Sequence, residues 1–367
     1  MNKSGKNTVC AHGGAFWNAI GSHFQTLDRR VDVVNADVLD AWFPPAPGVA
    51  LLLSEHLPWL LQTSPPQEAE GLRAAISAAR GVPEESLVLG AGSSALMFLA
   101  LRHWLTPESR VLLPGPTYGE YGHLLERVIG CRVDHISLDA ESIQAHLTTG
   151  NYDLLVLVNP NNPTGDTFSQ SVLTALLANA PRQTRVWVDE AYTDYLGPGA
   201  SLETIAAGSE NSVVCKSLSK GLALSGARVA YLCGPPILIQ EMRGLTPPWA
   251  ISLPAQVAAV AALADPAYYA TRYAETHALR EQLAASLGQT VPDWSITASP
   301  ANWLLCHLPN NGPDAATLCR HCALRGVFLR AFPAQTYGLS PHALRISVKD
   351  AAQNIRIVET LKEAHRA

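Results

Sequence analysis

Short apolar runs alternate with helix-like segments from residue 86 to residue 231, and few folds accommodate this alternation. The apolar runs lie at 87–89, 111–113, 154–158, 185–188, 213–214 and 229–231. Continuous apolar strands are covered on both faces, and helices between consecutive strands favour parallel pairing. The pattern predicts an α/β fold built on a large, mostly parallel αβα domain. Ligand sites in such sheets lie beyond the carboxyl ends of the strands.

The pattern changes near residue 265. Beyond it come a long helical segment, alternating strands and a closing helix, at 268–287, 294–297, 303–306, 327–329, 344–348 and 351–365. This mixture predicts a second, smaller α+β domain. We therefore expect an N-terminal segment over 1–48 that packs on the small domain and the active site, a large domain over 49–265, and a small domain over 266–367.

The composition argues against several classes of partner. Only 16% of the 367 residues are charged, the net charge is −5, and the basic residues are scattered. No basic surface is therefore expected for nucleic acid or for an anionic membrane. No apolar run approaches the roughly 18 residues that span a bilayer, and the first residues lack the apolar core of a signal peptide. We expect a cytoplasmic protein whose partners are small molecules.

The cysteines do not indicate a disulfide framework or a metal site. Seven of them are scattered along the chain, which is more typical of free thiols in a reducing compartment. The pair Cys319 and Cys322 has the spacing of metal ligands, but the segment 314–324 is predicted to be an amphipathic helix. No second Cys/His pair lies nearby to complete a tetrahedral site. We expect no bound metal.

Lys220 follows an apolar run in the sequence S-L-S-K-G-L. A lysine at the end of a buried strand can be desolvated, which lowers the pKa of its amine and frees it as a nucleophile toward an aldehyde. Ser217, Ser219 and Arg228 offer two hydroxyls and a planar guanidinium to an anion such as a phosphate. An aldehyde that also carries a phosphate indicates pyridoxal 5′-phosphate (PLP).

Other polar residues follow strands of the large domain. Gly92, Ser93 and Ser94 open a helix after the first strand, where backbone N–H groups and the helix dipole can bind an anion. Tyr118 lies in a turn after the next strand, in P-T-Y-G-E-Y, and can present an aromatic face to a ring. Asn162, in N-P-N-N-P-T-G, can point its amide at a phenolate oxygen.

Three further residues complete the candidate site. Asp189, in D-E-A-Y, is a carboxylate at the end of a buried strand, where it is costly unless paired. A protonated pyridine nitrogen is a suitable partner. Tyr192, in the same motif, can donate to the phenolate oxygen that Asn162 would bind. Arg345, in L-R-I-S-V of the second domain, offers a fork-shaped donor to a substrate carboxylate.

Four motifs resemble, in their order and spacing, those of the fold-type I PLP-dependent enzymes of the aminotransferase class I/II family. They are N-P-x-N-P-T-G, D-E-A-Y, S-x-S-K-x-x-x-L-x-G-x-R and L-R-I-S-V. The resemblance covers nearly the whole chain. The sequences P-T-Y at 116–118 and F-L-R at 328–330 resemble the subgroup that contains histidinol-phosphate aminotransferase and threonine-phosphate decarboxylase.

The resemblance implies a role for each residue. Lys220, Asp189 and Tyr192 would be catalytic: Lys220 would form a Schiff base with PLP, and Asp189 would pair with the pyridine nitrogen. Asn162 and Tyr192 would bind the ring oxygen, Tyr118 would stack on the ring, and the phosphate would lie among Gly92, Ser93, Ser94, Ser217, Ser219 and Arg228. Arg345 and Arg330 would bind the substrate. A homodimer is implied too, because sites of this family form between subunits.

The N-terminal segment departs from the subgroup. Where the subgroup carries an N-E-N-P-type motif, this chain reads N-A-D-V-L-D-A-W-F-P-P at 35–45. In the family, the turn that corresponds to residues 62–66 carries a tyrosine that reaches the cofactor phosphate of the partner subunit. Here the turn reads Q-T-S-P-P and has no tyrosine. Asp37 and Asp40 would favour a cationic substrate side chain if they line the pocket; as turn residues they would face solvent. We expect Asp40 and Trp42 to contact the substrate.

The leading hypothesis is a PLP-dependent aminotransferase that acts on an α-amino acid in biosynthesis. The same scaffold also supports a cyclase or dehydratase of a hydroxylated, arginine-like amino acid, or a phospho-amino-acid decarboxylase. The bond that breaks at Cα depends on where Arg345 holds the carboxylate. A binding or regulatory module without enzymatic activity is a third hypothesis.

Overall fold

The computed structural model describes residues 12–332 and 338–366. The strands are β1 Val34–Asn35, β2 Leu87–Gly90, β3 Arg110–Gly115, β4 Arg132–Ser137, β5 Leu154–Val158, β6 Arg185–Asp189, β7 Ser212–Ser217, β8 Ala230–Cys233, β9 Ser295–Ala298, β10 Trp303–His307, β11 Val327–Phe328, β12 Arg330–Ala331 and β13 Ala343–Ser347. The α-helices are α1 Trp17–Ile20, α2 Pro47–Gln62, α3 Glu70–Arg80, α4 Ser93–Trp104, α5 Gly119–Gly122, α6 Ala140–Thr149, α7 Gln170–Asn179, α8 Glu203–Ala207, α9 Leu218–Gly221, α10 Pro236–Leu245, α11 Leu253–Leu263, α12 Pro266–Thr290, α13 Ala315–Ala323 and α14 Ala351–Arg366.

A seven-stranded sheet lies at the centre of the large domain. Its strand order is β2-β8-β7-β6-β5-β3-β4, and β8 alone runs in the direction opposite to the other six strands. Every residue of β2, β5 and β7 is buried, as expected for strands that helices cover on both faces. Two large apolar clusters cover the two faces of the sheet. The predicted α/β fold with a mostly parallel αβα domain is confirmed.

The parallel strands bring their carboxyl ends to one edge of the sheet. In the pairing register Val158 lies beside Asp189, and Asp189 lies beside Cys215. Gly90 and Ser217, at the ends of β2 and β7, both pair with Ala230 of β8. The segments that follow β2, β5, β6 and β7 therefore start from neighbouring positions on this edge.

The second domain is built on a four-stranded antiparallel sheet of order β12-β13-β10-β9. Helices α12, α13 and α14 pack with this sheet around one apolar cluster. The N-terminal segment joins it through β1, which pairs in parallel with β11 so that Val34 lies beside Val327. The domain boundaries at residues 48 and 265 remain a proposal.

Several hydrogen bonds connect the small domain to the rest of the chain. The indole N–H of Trp303 in β10 donates to the Pro163 carbonyl oxygen at 2.8 Å, in the turn after β5. The Asn302 side chain donates to the Leu39 carbonyl oxygen at 3.3 Å. The small domain therefore contacts both the N-terminal segment and the edge of the large sheet where the strands end.

Cys319 and Cys322 lie on α13, the helix that is expected there. The six cysteines of the described residues are free thiols. Within residues 12–332 and 338–366, no group of three or more histidine, cysteine or acidic side chains could bind a metal ion. None of the described helices has both the length and the apolar character needed to cross a membrane.

Gly326 sets the turn that lets β11 pair with β1. Its φ is +74°, and a Cβ there would lie 2.7 Å from the Asp32 carbonyl oxygen. The Gly326 carbonyl oxygen accepts from the Val34 N–H at 2.8 Å. We expect Gly326→Ala to lower the free energy of unfolding by about 1–3 kcal/mol, measured by urea denaturation. Gly48→Ala in α2 is the control, because a Cβ there meets no atom within 4 Å; equal losses in both variants would contradict the prediction.

Candidate active site

Lys220 lies on α9, the short helix that directly follows β7. The Ser217 hydroxyl caps this helix by accepting from the Ser219 N–H at 3.3 Å. The Lys220 Nζ lies 2.8 Å from Oδ1 of Asp40 in the N-terminal segment. Burial raises the pKa of the Asp40 carboxyl, but the charge and hydrogen bond of Lys220 outweigh it and hold that pKa below its usual value. The structure thus brings together two residues that the sequence analysis assigned to different roles.

A group of donors converges where α4 begins. This helix starts at Ser93 without a side-chain cap, so the N–H groups of Ser93 and Ser94 have no capping acceptor among the residues that the structure describes. Gly92 has a φ of +93°, and a Cβ there would collide with the Arg228 guanidinium. Arg228 donates from Nη1 to the Ser219 hydroxyl at 3.5 Å. Uncapped N–H groups, hydroxyls and a guanidinium form a site that suits a phosphate.

Asp189 is buried at the end of β6. Its Oδ2 accepts from the Tyr121 hydroxyl at 2.7 Å and its Oδ1 from the Ala191 N–H at 3.0 Å. Burial raises the pKa of Asp189, and the hydrogen bonds from Tyr121 and the Ala191 N–H only partly offset that rise. Among the described residues, none forms an ion pair with this carboxylate. A buried carboxylate with neutral partners suits the protonated pyridine nitrogen of PLP as its counter-ion.

Tyr121 contributes to the site although it is not among the residues predicted from the sequence. Its hydroxyl donates to Asp189 and accepts from the Trp187 indole N–H at 2.8 Å, so it orients the carboxylate. Its ring also packs edge-on against Tyr118, with ring centroids 6.1 Å apart. The only sequence signal was its place one helical turn after Tyr118, in the same motif.

Asn162 and Tyr192 lie near the junction of the two domains. The Asn162 Oδ1 accepts from Arg345 Nη1 at 2.6 Å, and the Tyr192 ring packs on Trp303 at 4.9 Å between centroids. Asn161 ties this turn to the turn of Tyr118, because its amide donates to the Pro116 carbonyl oxygen at 2.7 Å. Burial raises the pKa of Tyr192, so the phenol stays a neutral donor.

Arg345 connects the small domain to both other parts of the site. It is buried in β13, and its Nη2 donates to the Asp37 carbonyl oxygen at 2.8 Å. Its Nε is buried, with no hydrogen-bond partner among the described residues. Burial lowers the pKa of Arg345 to about 10. Arg330 lies directly opposite in the β12–β13 pair, with Nη1 3.8 Å from Asp37 Oδ1. The two guanidinium groups therefore share one end of the site.

The two acids of the N-terminal segment occupy different surroundings. Asp37 does not face solvent: it is only 3% exposed, and its carboxylate accepts from the Gly14 N–H at 2.7 Å. Asp40 is half-buried on Lys220. Trp42 donates its indole N–H to the Thr276 hydroxyl of α12 at 2.9 Å. The Trp42 ring also packs edge-on against Phe43 and lies under the Arg272 guanidinium, and its predicted contact with the substrate stays a prediction.

The chain matches a known family and several of its curated members. The family described as Aminotransferase class I and II matches residues 60–361. Histidinol-phosphate aminotransferase of Rhodopseudomonas palustris (strain BisB18) is 30% identical over 83% of this chain and 83% of its own length. The enzyme of that name from Roseiflexus castenholzii is 30% identical over 92% of this chain and 93% of its own.

Solved structures show the same fold. Histidinol-phosphate aminotransferase from Sinorhizobium meliloti, in complex with pyridoxal-5′-phosphate, superposes with a TM-score of 0.79 at 22% identity and covers 90% of this chain and 89% of that one. L-threonine-O-3-phosphate decarboxylase from Porphyromonas gingivalis gives 0.79 at 20% identity, over 90% and 98% of the two chains.

The fold and the site define a PLP-dependent transferase of fold type I. The chain belongs to the aminotransferase class I and II family, and its cofactor is pyridoxal 5′-phosphate. The donors at the start of α4 and the buried carboxylate of Asp189 suit that cofactor's phosphate and pyridine nitrogen. The individual residue roles remain proposals.

Gly92 tests the proposed phosphate site. We expect Gly92→Ala to weaken PLP binding by at least about tenfold, because the new Cβ displaces the Arg228 guanidinium from the start of α4. Equilibrium dialysis with PLP measures this affinity, and circular dichroism checks the fold. Gly226→Ala is the control: it changes the loop before Arg228, yet its Cβ meets no atom within 4 Å. Unchanged affinity in Gly92→Ala would place the phosphate elsewhere.

Proposed function

We propose that this aminotransferase acts in biosynthesis on an amino substrate whose anionic group binds Arg345 and Arg330, with histidinol phosphate as the first candidate. The observation that carries the proposal is the pair of guanidinium groups side by side in β12 and β13, one with a buried Nε that lacks a partner among the described residues. The relatives that align over most of the chain carry that substrate in their names. The same pair suits the carboxylate of an α-amino acid, the second substrate of a transamination.

The residues divide the chemistry among them. PLP, when bound, withdraws electrons from the substrate Cα. Asp189, oriented by Tyr121, would stabilise the proton on the pyridine nitrogen. Lys220 would take the proton from the substrate Cα and hold it on its amine. Arg345 would hold the substrate anion and so set the orientation of the substrate Cα, because its hydrogen bond to Asn162 fixes the guanidinium relative to the turn after β5.

The proposal is tested with purified holoenzyme, histidinol phosphate and 2-oxoglutarate, with glutamate formation as the readout. We expect glutamate to form only when both substrates are present, and Lys220→Ala to lower kcat by about 10²–10⁴-fold. Lys362→Ala on the exposed side of α14 is the matched control and should keep full activity. Arginine, ornithine and phosphothreonine complete the substrate panel. Turnover of any of them without a keto acid would contradict transamination as the main reaction.

We also propose that the enzyme is a homodimer and that α2 faces the partner subunit. Only Val49 and Leu60 of this helix are buried, while Leu51 is 65% exposed, Trp59 55% and Leu61 70%. Large apolar side chains that stay exposed together on one helix are typical of an interaction site. The helix ends at the 62–66 turn, the segment that reaches the partner's cofactor in the family. A second copy of the chain is therefore the occupant that we propose.

Light scattering after size-exclusion chromatography tests this interface. We expect the wild type at about twice the 39.3 kDa chain mass, and Leu61→Glu shifted toward the monomer because it buries a charge in the interface. Ile355→Glu on α14 is the control, since this isoleucine is also exposed, at 59%. A monomeric wild type would contradict the proposal.

For the compartment, we propose the cytoplasm. The free thiols of the described cysteines support this, because such thiols are typical of reducing compartments. Recovery of the native enzyme in a periplasmic or secreted fraction would contradict it.

A further inference from the structure

Asp40 lies between two lysines. Its Oδ1 accepts from Lys220 Nζ at 2.8 Å, and its backbone carbonyl oxygen accepts from Lys349 Nζ at 3.2 Å. Lys349 follows β13 and is 5% exposed. None of the roles derived above uses Lys349, although it lies on the segment that carries Arg345.

The position of Lys349 is fixed from the small domain. Its backbone N–H donates to Asn354 Oδ1 at 2.9 Å, and its carbonyl oxygen accepts from the Asn354 amide at 2.8 Å. Asn354 belongs to α14, so both bonds join the end of β13 to that helix. The ammonium of Lys349 is therefore held against the backbone of Asp40, and this contact fixes the carboxylate of Asp40 next to Lys220.

The charges around Asp40 make it the counter-ion of Lys220. Among the described residues, Asp40 is the one acid within ion-pair distance of the Lys220 amine. The pKa of Lys349 is lowered to about 8: burial is the largest cause, the charge of Asp40 opposes the shift, and the charge of Lys220 adds to it. The titratable groups that face this cluster from neighbouring elements are Tyr192, Tyr195 and Asp350.

We propose that Asp40 is a positioning residue that holds the Lys220 ammonium whenever this amine is not bonded to PLP, and that Lys349 holds Asp40 in place for that task. The inference rests on the proposed role of Lys220. A lysine that has taken a proton from the substrate becomes an ammonium, and Asp40 gives it a fixed partner in place of water. Asp40 then acts through Lys220, and its function does not require contact with the substrate side chain.

The pH dependence of Lys220 acetylation in the cofactor-free chain tests this role, because acetic anhydride reacts with the neutral amine only. Peptide mass spectrometry follows Lys220 alone. We expect Asp40→Asn to lower the midpoint of the profile by about one pH unit, which is an approximately tenfold faster reaction at a pH below both midpoints. Asp40→Glu should restore a midpoint close to the wild type. Asp28→Asn, which removes the same charge at a fully exposed site, should change nothing.

A double variant separates charge from structure. With the Asp40 charge gone, Lys349 only repels the Lys220 ammonium, so Asp40→Asn/Lys349→Gln should have a higher midpoint than Asp40→Asn alone. An unchanged midpoint in Asp40→Asn, a midpoint in Asp40→Glu that matches Asp40→Asn, or a double variant lower than the single one would each overturn the proposal.

The holoenzyme provides the last comparison. Bound PLP should protect Lys220 from acetylation in the wild type. If bound PLP does not protect Lys220, the assignment of Lys220 is overturned, and the proposed role of Asp40 with it. Protection together with an insensitive Asp40→Asn profile would overturn the role of Asp40 alone and leave the proposed function standing.

Discussion

The register of the parallel strands is the constraint on which the site depends. Because β5, β6 and β7 run in the same direction, Val158, Asp189 and Cys215 are placed side by side. Each strand is then followed by one candidate group: the turn of Asn162 after β5, Asp189 itself at the end of β6, and α9 with Lys220 after β7. Groups distant in the sequence thus share one edge of a rigid sheet. A proton transfer between positioned atoms needs this rigidity.

Arg345 links that edge to the small domain. One guanidinium donates to Asn162 in the large domain and to Asp37 in the N-terminal segment, so three parts of the chain meet at a single buried cation. Such a cation is costly to bury unless its donors are satisfied, and Nε alone lacks a partner among the described residues. A substrate anion would complete the hydrogen bonding of the Arg345 guanidinium. Substrate binding would thereby be coupled to the relative position of the large domain, the small domain and the N-terminal segment.

Much of the fold follows from local patterns, whereas the contacts within the site do not. The continuous apolar runs predict the parallel strands because burial on both faces leaves little room for polar residues. The motifs around Lys220 and Asp189 indicate the cofactor because PLP chemistry needs a lysine amine and a carboxylate, and both follow directly from the residue types at the strand ends. The bonds that orient those groups are nonlocal: Asp40 and Lys220 are separated by 180 positions, and Lys349 and Asp40 by 309. Burial of Asp37 likewise depends on the packing of Gly13 and Gly14, which no local pattern shows.

The central claim is that Lys220 is the lysine that bonds to PLP, and borohydride reduction of the holoenzyme tests it most directly. Reduction fixes the cofactor to its lysine, and peptide mass mapping then identifies the residue. Lys216 pairs with Glu190 at 3.2 Å, and Lys349 lies against Asp40, so both are nearby alternatives. The mass of reduced PLP is expected on the peptide that contains Lys220. Attachment to Lys216 or Lys349, or no attachment, would contradict it.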